Sequence, residues 1–501
     1  MGSVSTTDER PEAARTPDKA RLVSRGLGWS LGSSVVLRVG NLLLSIVIAR
    51  LVAPEAYGVF AVALTVWTVL SALSEFGLGA NLVRSRDPQR RAPTVATLGA
   101  VIGLLASVAM ALGASAIADA FRSPDSTGVL LVMALVPALF GLTIVPAALL
   151  QRSYRQRALF VVNGAGLVVS AATIVSLTLS DVGPTALAWG QVGSQVTVLL
   201  GLHIAARHRP RFGFDRAHAR ESLAFSAPLA VANLVSWLLI TLDNVIVSRE
   251  LSPVALGFYV LAFNVSSWPM SAIGQAVRVV ALPAFADTES PRQRNDGLVR
   301  SMGLVVLAAG FMGLGLATLA GPVVDVLYGG RWAPAATALA GLAVFGATRV
   351  VLDLVATFLI AAGDTRQVLV VQLVWLAVMV PAMVVAVREW GLAGAGWVHV
   401  AVAVLVVIPA YAHCLRRAGV EVGRLARACV VPLLALVPAV AVCWWVGHSQ
   451  LPGAVAVLVG GGCAVALYLA PLLPWCRQRL EELRDPQAIA THRRGRHDAR
   501  S

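Results

Sequence analysis

"ARLVAPEAYGVFAVA", residues 49–63, joins two apolar blocks through an arginine (Arg50), a proline (Pro54) and a glycine (Gly58). "SRELSPVALGFYVLA", residues 248–262, repeats the corner: Arg249, Pro253, Gly257 and Tyr259 stand where the first copy has Arg50, Pro54, Gly58 and Phe60. The offset is 199 residues at all four positions. Proline and glycine set the break and restart of a helix. Arginine, proline and glycine are not what apolar composition supplies by chance, so a doubled corner implies a doubled half.

The chain around these corners is built for lipid. Hydrophobic residues make up 57% and charged residues 13%, against roughly a quarter charged in soluble proteins. Apolar windows long enough to span a bilayer fall at about 27–49, 57–83, 93–119, 128–150, 158–180, 184–206, 222–248, 254–286, 298–320, 335–361, 366–387, 391–415, 426–447 and 453–475. The expected fold is therefore an all-α integral membrane protein of about 14 transmembrane helices. A net charge of +14 does not point to nucleic acid, because the basic residues cluster between apolar blocks. Of 40 Lys and Arg, five (Arg50, Arg122, Arg249, Arg331, Arg388) fall on one side, three (Arg38, Arg278, Arg349) fall within spans, and the other 32 face the opposite side. The positive-inside rule makes that basic side, with both termini, cytoplasmic, and the expected location is the inner (plasma) membrane.

Both corners lie on the poorly basic side, six spans apart, so the two halves share one orientation. A second echo agrees: "VGPTALAWG" before span six resembles "WGLAGAGWV" before span twelve, aligning Gly183 with Gly391 and Trp189 with Trp397. Two parallel six-helix lobes, related by a pseudo-twofold along the membrane normal, follow from this pattern. The organisation reads as a disordered cytoplasmic tail (1–26), an N-terminal lobe (27–206), a basic linker (207–221), a C-terminal lobe (222–415), two extra helices (416–475) and a basic tail (476–501). No cleavable signal peptide is apparent, and a lone Gly2 is weak support for a lipid anchor.

An ionisable group in a span costs several kcal/mol unless paired or hydrated, so each one is a functional hypothesis. Six stand out: Arg38, Glu75, Asp243, Arg278, Arg349 and Asp353, with amides including Asn41 and Gln275 near them. Arg38 and Asn41 share a helix face; Arg38 either binds an anion in a cavity or pairs with Glu75. Arg349 and Asp353, four apart, form a self-satisfied pair or open to offer Arg349 to a phosphate. Asp243 takes part in ion coupling, or pairs with Arg249 or a neighbouring helix. Arg278 has no acidic partner nearby in sequence and is the best single candidate for an anionic ligand. Guanidinium groups replace the lost water of a phosphate through forked hydrogen bonds, and amides suit sugar hydroxyls. The substrate-binding set is accordingly Arg38, Asn41, Gln275, Arg278 and Arg349, with Glu75, Asp243 and Asp353 as candidates for ion coupling or gating.

Enzyme signatures are missing: the chain has no H-E-x-x-H, G-x-S-x-G, P-loop or paired-carboxylate loop motif. Neither a metal nor any other cofactor is expected. Cys414, Cys429, Cys443, Cys463 and Cys476 have no metal-ligand spacing and read as small apolar fillers. The short connections on the poorly basic side argue against a glycan polymerase or ligase.

Several stretches resemble the bacterial polysaccharide (O-antigen/exopolysaccharide) flippases, within the multidrug/oligosaccharidyl-lipid/polysaccharide exporter superfamily. They are "IARLVAPEAYGVFAVALTVWTVLSALSEFGLGANLVR" with its Glu75, Gly77, Gly79 ending, "LLQRSYRQR", "LDNVIVSRELSPVALGFYVLAF", "LPAFA", "LYGGRWAPAA" and "AAGDTR". The resemblance covers most of residues 25–420. It implies two six-helix lobes that rock between inward- and outward-open states. The implied substrate is an undecaprenyl-diphosphate-linked oligosaccharide, carried from the cytoplasmic to the outer leaflet. The implied partners are membrane lipids and the polymerase and glycosyltransferases of cell-surface polysaccharide synthesis. An ion-coupled multidrug exporter or a peptidoglycan lipid flippase is the alternative within the superfamily. One departure is visible: relatives often carry a basic residue after the span-seven aspartate, where this chain has Asn244. By analogy, spans thirteen and fourteen contact the lipid tail.

Overall fold

The structure, a computed structural model, describes residues 36–484 apart from 38, 76, 86, 208–210, 275–284 and 286–289. All regular secondary structure among the described residues is helical. The helices are α1 (Val39–Leu51), α2 (Pro54–Glu75), α3 (Leu78–Arg84), α4 (Pro88–Leu112), α5 (Ala114–Ala120), α6 (Ser126–Met133), α7 (Leu135–Arg152), α8 (Gln156–Leu179), α9 (Thr185–Ala206), α10 (Arg216–Glu250) and α11 (Pro253–Ser266). They continue as α12 (Pro291–Thr318), α13 (Ala320–Tyr328), α14 (Ala335–Ala361), α15 (Thr365–Val402), α16 (Ile408–Arg417), α17 (Val422–Gly447), α18 (Gly453–Ala464) and α19 (Ala470–Arg484).

Nine stretches among the described residues are long and apolar enough to cross a membrane. One of them, Thr365–Arg417, holds two expected spans divided at Gly391, whose φ of 58° and ψ of −138° leave the helical region. Gly183, its counterpart in the first half, also has positive φ, 79°. A side chain is disfavoured at that backbone geometry, and glycine adopts it freely. The protein is a multi-pass membrane protein. Several helices are shorter than the apolar windows suggest. Gly77 at φ 61° separates α2 from α3 within the window 57–83, and Gly113 separates α4 from α5 within 93–119.

The chain forms two compact units. Among the described residues, one lies within 36–52, 63–117 and 125–238; the other lies within 53–62, 118–124 and 239–484. In the first unit, α4 and α7 cross through glycines. A Cβ on Gly141 would lie 2.2 Å from the Gly99 carbonyl oxygen, and one on Gly103 would lie 2.5 Å from that of Pro137. Small residues at such crossings let helix backbones approach where lipid supplies no hydrophobic drive. The arginines at one end of this unit serve the helix ends. Arg155 donates to the Ala205 carbonyl at 2.7 Å, and Arg152 donates to the carbonyls of Val83 (2.9 Å) and Ser85. Val83 and Ala205 lie in the last turns of α3 and α9, where a helix offers its carbonyls no partner of its own, and Ser85 follows α3 directly.

The linker beyond α9 docks on α4. Thr97 Oγ1 donates to the Gly213 carbonyl (2.9 Å), the Asp215 amide donates to Thr94 Oγ1 (3.2 Å), and Arg91 reaches both oxygens of Glu221 at 2.9 Å. Asp215 then accepts from the Ala217 amide at 2.8 Å. Its carboxyl lies below the ordinary value, chiefly through the backbone hydrogen bond from His218.

In the second unit, α14 sits centrally. Its Gly346 faces the Ser266 carbonyl of α11, and its Gly341 faces Gly396 of α15; an added Cβ would lie 2.2 Å and 2.5 Å from those backbones. The last helices belong to the same core: Leu307 and Leu314 of α12 pack with Ala439, Cys443, Ala464, Tyr468 and Leu472. Cys443 fills a buried gap and its thiol donates to the Gly460 carbonyl at 3.3 Å.

Candidate functional site

The doubled corner closes on itself inside the second unit. A Cβ on Gly58 would lie 2.2 Å from the Pro253 carbonyl oxygen, and one on Gly257 would lie 3.0 Å from the Gly58 nitrogen. The first turns of α2 and α11 therefore touch backbone to backbone. Around this contact, Trp332 is fully buried. Its ring takes the edges of Tyr57 (centroids 5.4 Å apart, 87° between planes) and Phe258 (5.8 Å, 89°). Aromatic edge-to-face pairs add to what burial alone contributes.

The segment 118–124 completes the closure. Ser248 donates to the Phe121 carbonyl at 2.7 Å, and Arg122 donates to the Arg249 carbonyl at 2.8 Å. Beside them Arg388 makes two bonds to Glu250, at 2.8 and 3.1 Å. The Arg388 hydrogen bond holds the Glu250 carboxyl below the usual carboxylate range, helped by the charges of Arg388, Arg122 and Arg249. A depressed carboxyl adds stability that is present above its unfolded value and is lost as pH falls through its folded value. Glu250→Gln is therefore expected to flatten the acid side of the stability profile, read as thermal unfolding midpoints from pH 7 down to pH 3.

Deeper in the same unit, three buried groups meet from three helices. Tyr259 of α11 donates to Asp243 Oδ2 of α10 at 2.5 Å, and its Oη lies 2.9 Å from Nε2 of His399 on α15. Nε2 itself is 3.6 Å from Asp243 Oδ2. The other carboxylate oxygen accepts the Asn244 amide at 2.9 Å. Asp243 and His399 are each 4% exposed, Tyr259 0%, and the Phe345 ring of α14 stacks on the imidazole with centroids 4.7 Å apart.

A third feature is an apolar cavity of about 870 Å³ among α12, α14, α16 and α17, lined by residues such as Val306, Leu314, Val351, Leu415, Leu425 and Leu436. Its size is that of a ligand pocket.

The residues expected from sequence fall as follows. Arg38, Gln275 and Arg278 lie outside the described residues, as does the side chain of Glu75. Asn41 is exposed on α1 and donates to the Leu37 carbonyl at 2.8 Å. Arg349 and Asp353 are both half-buried on α14; Thr348, Val351 and Leu352 beside them line the cavity, and Arg349 does not. Asp243 is the one brought into a cluster, with α11 and α15. His399 and Tyr259 are the residues that sequence reasoning missed. Both were legible as polar groups in apolar runs, "WVHVAVAV" and "GFYVLAF", by the same rule that singled out Asp243.

A family model described as polysaccharide biosynthesis protein matches residues 47–337. The chain belongs to that family. It is similar to the succinoglycan biosynthesis transport protein ExoT of Rhizobium meliloti (strain 1021), 27% identical over 322 residues, which are 63% of this chain and 64% of ExoT. It is also similar to the lipopolysaccharide biosynthesis protein WzxC of Escherichia coli (strain K12), 26% identical over 349 residues, 67% of this chain and 69% of WzxC. The chain thus matches just under two thirds of ExoT's length and slightly more than two thirds of WzxC's. Among solved structures, the lipid II flippase MurJ in an inward closed conformation superposes with a TM-score of 0.71, at 12% identity, over 90% of this chain and all of that one. The fold is therefore shared with MurJ. Both copies of the corner fall inside the family match, so the Gly58–Gly257 contact is part of the region that defines membership.

Proposed function

We propose that this family member is a flippase, not an enzyme. It moves an undecaprenyl-diphosphate-linked oligosaccharide from the cytoplasmic to the outer leaflet by alternating access, for cell-surface polysaccharide synthesis. The observation that carries this reading is the long similarity to ExoT and WzxC, which are named for succinoglycan transport and lipopolysaccharide biosynthesis. The apolar cavity supports it, since a polyprenyl chain needs an apolar bed along the protein, and α17 supplies one wall.

The orientation that fits has the arginine-rich loops and both termini in the cytoplasm of a cell with the protein in its inner membrane. The closed corner is then an outer gate in its shut state. The lobes are residues 27–206 and 222–415, with 416–475 as an added pair of helices. Arg38, Arg278 and Arg349 take the diphosphate, and Asn41 and Gln275 take sugar hydroxyls. Polymerase and glycosyltransferases are the expected neighbours in the pathway.

The test replaces Arg38, Arg278 and Arg349 by alanine, singly and together, in cells that depend on this chain for surface polysaccharide. Loss of one fixed charge partner of a buried phosphate is expected to lower export at least about tenfold, given 1.5–3 kcal/mol for a charged hydrogen bond. Full export by all variants at normal protein levels would remove the cationic site from the mechanism.

A further inference from the structure

The buried cluster of Asp243, Tyr259 and His399 is unlike its surroundings, and the repeat shows that the fold does not require it. The corner offset of 199 residues places Leu44 and Phe60 opposite Asp243 and Tyr259, and the Gly183/Gly391 alignment places Gln191 opposite His399. The first half is thus built with no acid, phenol or imidazole at these positions.

Hydrogen-bond logic fixes the tautomer. A carboxylate only accepts, so the Tyr259 hydroxyl donates to Asp243, and its oxygen is left to accept from His399 Nε2–H. In a neutral imidazole Nδ1 is then a bare acceptor. It is buried and has no hydrogen-bond partner. The cluster carries the one negative charge of Asp243 in an apolar interior, and an aromatic face lies against the ring, where a cation is favoured.

We propose that Asp243, Tyr259 and His399 form a proton-binding site that couples the transport step to proton movement. A hydronium ion gives its proton to Nδ1 of His399: one O–H bond breaks, one N–H bond forms and a water molecule is released. The cluster passes from a single negative charge to a neutral carboxylate–imidazolium pair. Tyr259 holds Nε2 toward the acid in both states, so loading acts on the link between α10, α11 and the second half of α15. A π-helical turn, Ala403–Val407, begins four residues past His399; such turns recur at functional sites.

The other titratable groups on the packed elements are Arg349 and Asp353 on α14, one and two turns beyond Phe345, Arg249 and Glu250 at the end of α10 with Arg216, His218, Arg220 and Glu221 at its start, and Arg366, Arg388 and Glu389 on α15 before its kink. Tyr259 is the sole titratable side chain on α11.

Proton binding does not depend on the flippase reading; the coupling does, and the two are tested separately. Full-length protein labelled with ¹⁵N-histidine, in lipid nanodiscs, is followed by NMR from pH 8 to pH 5. The chain has eight histidines, so the His399 signals are assigned by their loss in His399→Gln. Nδ1 is expected to change from bare to protonated across this range while Nε2 stays protonated. Asp243→Asn is expected to cut His399 protonation at least about tenfold at the pH where the parent is half loaded. If His399→Gln does not accumulate, Tyr259→Phe carries the assignment, because releasing Nε2 mixes the neutral tautomers. One neutral tautomer throughout, or the same spectral change on adding sodium at fixed pH, overturns the site.

For coupling, surface polysaccharide is measured against external pH in cells carrying His399→Gln or Tyr259→Phe. The parent's pH dependence is expected to be lost. An unchanged pH profile overturns the coupling and leaves the NMR result standing. Failure of the flippase reading itself registers instead as normal export by the arginine variants.

Discussion

Gly58→Val is expected to abolish the closed corner. Any Cβ at this position would lie 2.2 Å from the Pro253 carbonyl oxygen, 2.7 Å from its carbon and 3.1 Å from the Val254 Cα. All three are backbone atoms, so no side chain can swing aside to make room. Alanine already requires α2 and α11 to separate, and valine adds two methyl groups in the same direction. Overpacking of this kind costs about 1–3 kcal/mol and sometimes more. The reciprocal substitution at Gly257 meets Gly58 N at 3.0 Å and the Pro54 carbonyl at 3.1 Å, which is a milder collision. Valine at 58 should therefore lower the unfolding midpoint of the purified protein further than valine at 257. Equal, negligible shifts for both would mean that the two corners do not touch.

Trp332→Ala should destabilise more than either. The indole is fully buried and is gripped edge-on by Tyr57 of the first corner and Phe258 of the second. Truncating a buried tryptophan costs about 3–5 kcal/mol through lost transfer energy and the cavity left behind. Here the loss also removes two edge-to-face pairs of about 0.5–1.5 kcal/mol each. Trp332→Phe keeps an aromatic ring and is expected to recover a good part of the loss. Denaturant unfolding, or the amount of folded protein recovered from membranes, distinguishes the two variants. Trp332 lies in "LYGGRWAPAA", so this stretch supplies a wedge under both corners.

The corner was legible in the sequence because its residues are rare in apolar helices and recur at one spacing. Gly183 and Gly391 were legible as a pair for the same reason, and both have positive φ. The breaks at Gly77 and Gly113 were not, since hydropathy averages over a window and does not register one residue's backbone angle. The contact between the copies was also hidden: sequence aligns Gly58 with Gly257 but does not tell that their backbones meet. Asp243 was legible as a charge in a span. That Tyr259 and His399 meet it was not, because the three come from helices separated along the chain and only packing brings them within 2.5–3.6 Å. Arg38, Gln275 and Arg278 stay as sequence proposals outside the described residues.

Residues 53–62 and 118–124 pack with the later part of the chain although they are made early. At about 5–20 residues per second, the ribosome adds Pro253, and then Trp332, roughly ten seconds to a minute after Pro54. During that interval the first corner sits in the membrane with its glycine face uncovered. Biogenesis of this protein thus includes a waiting period that no rearrangement of the early helices can shorten. A nascent chain stalled before residue 253 should leave a cysteine at the neighbouring position (Tyr57→Cys), which the complete chain covers with Trp332, open to a thiol-directed label, and release of the full chain should close it.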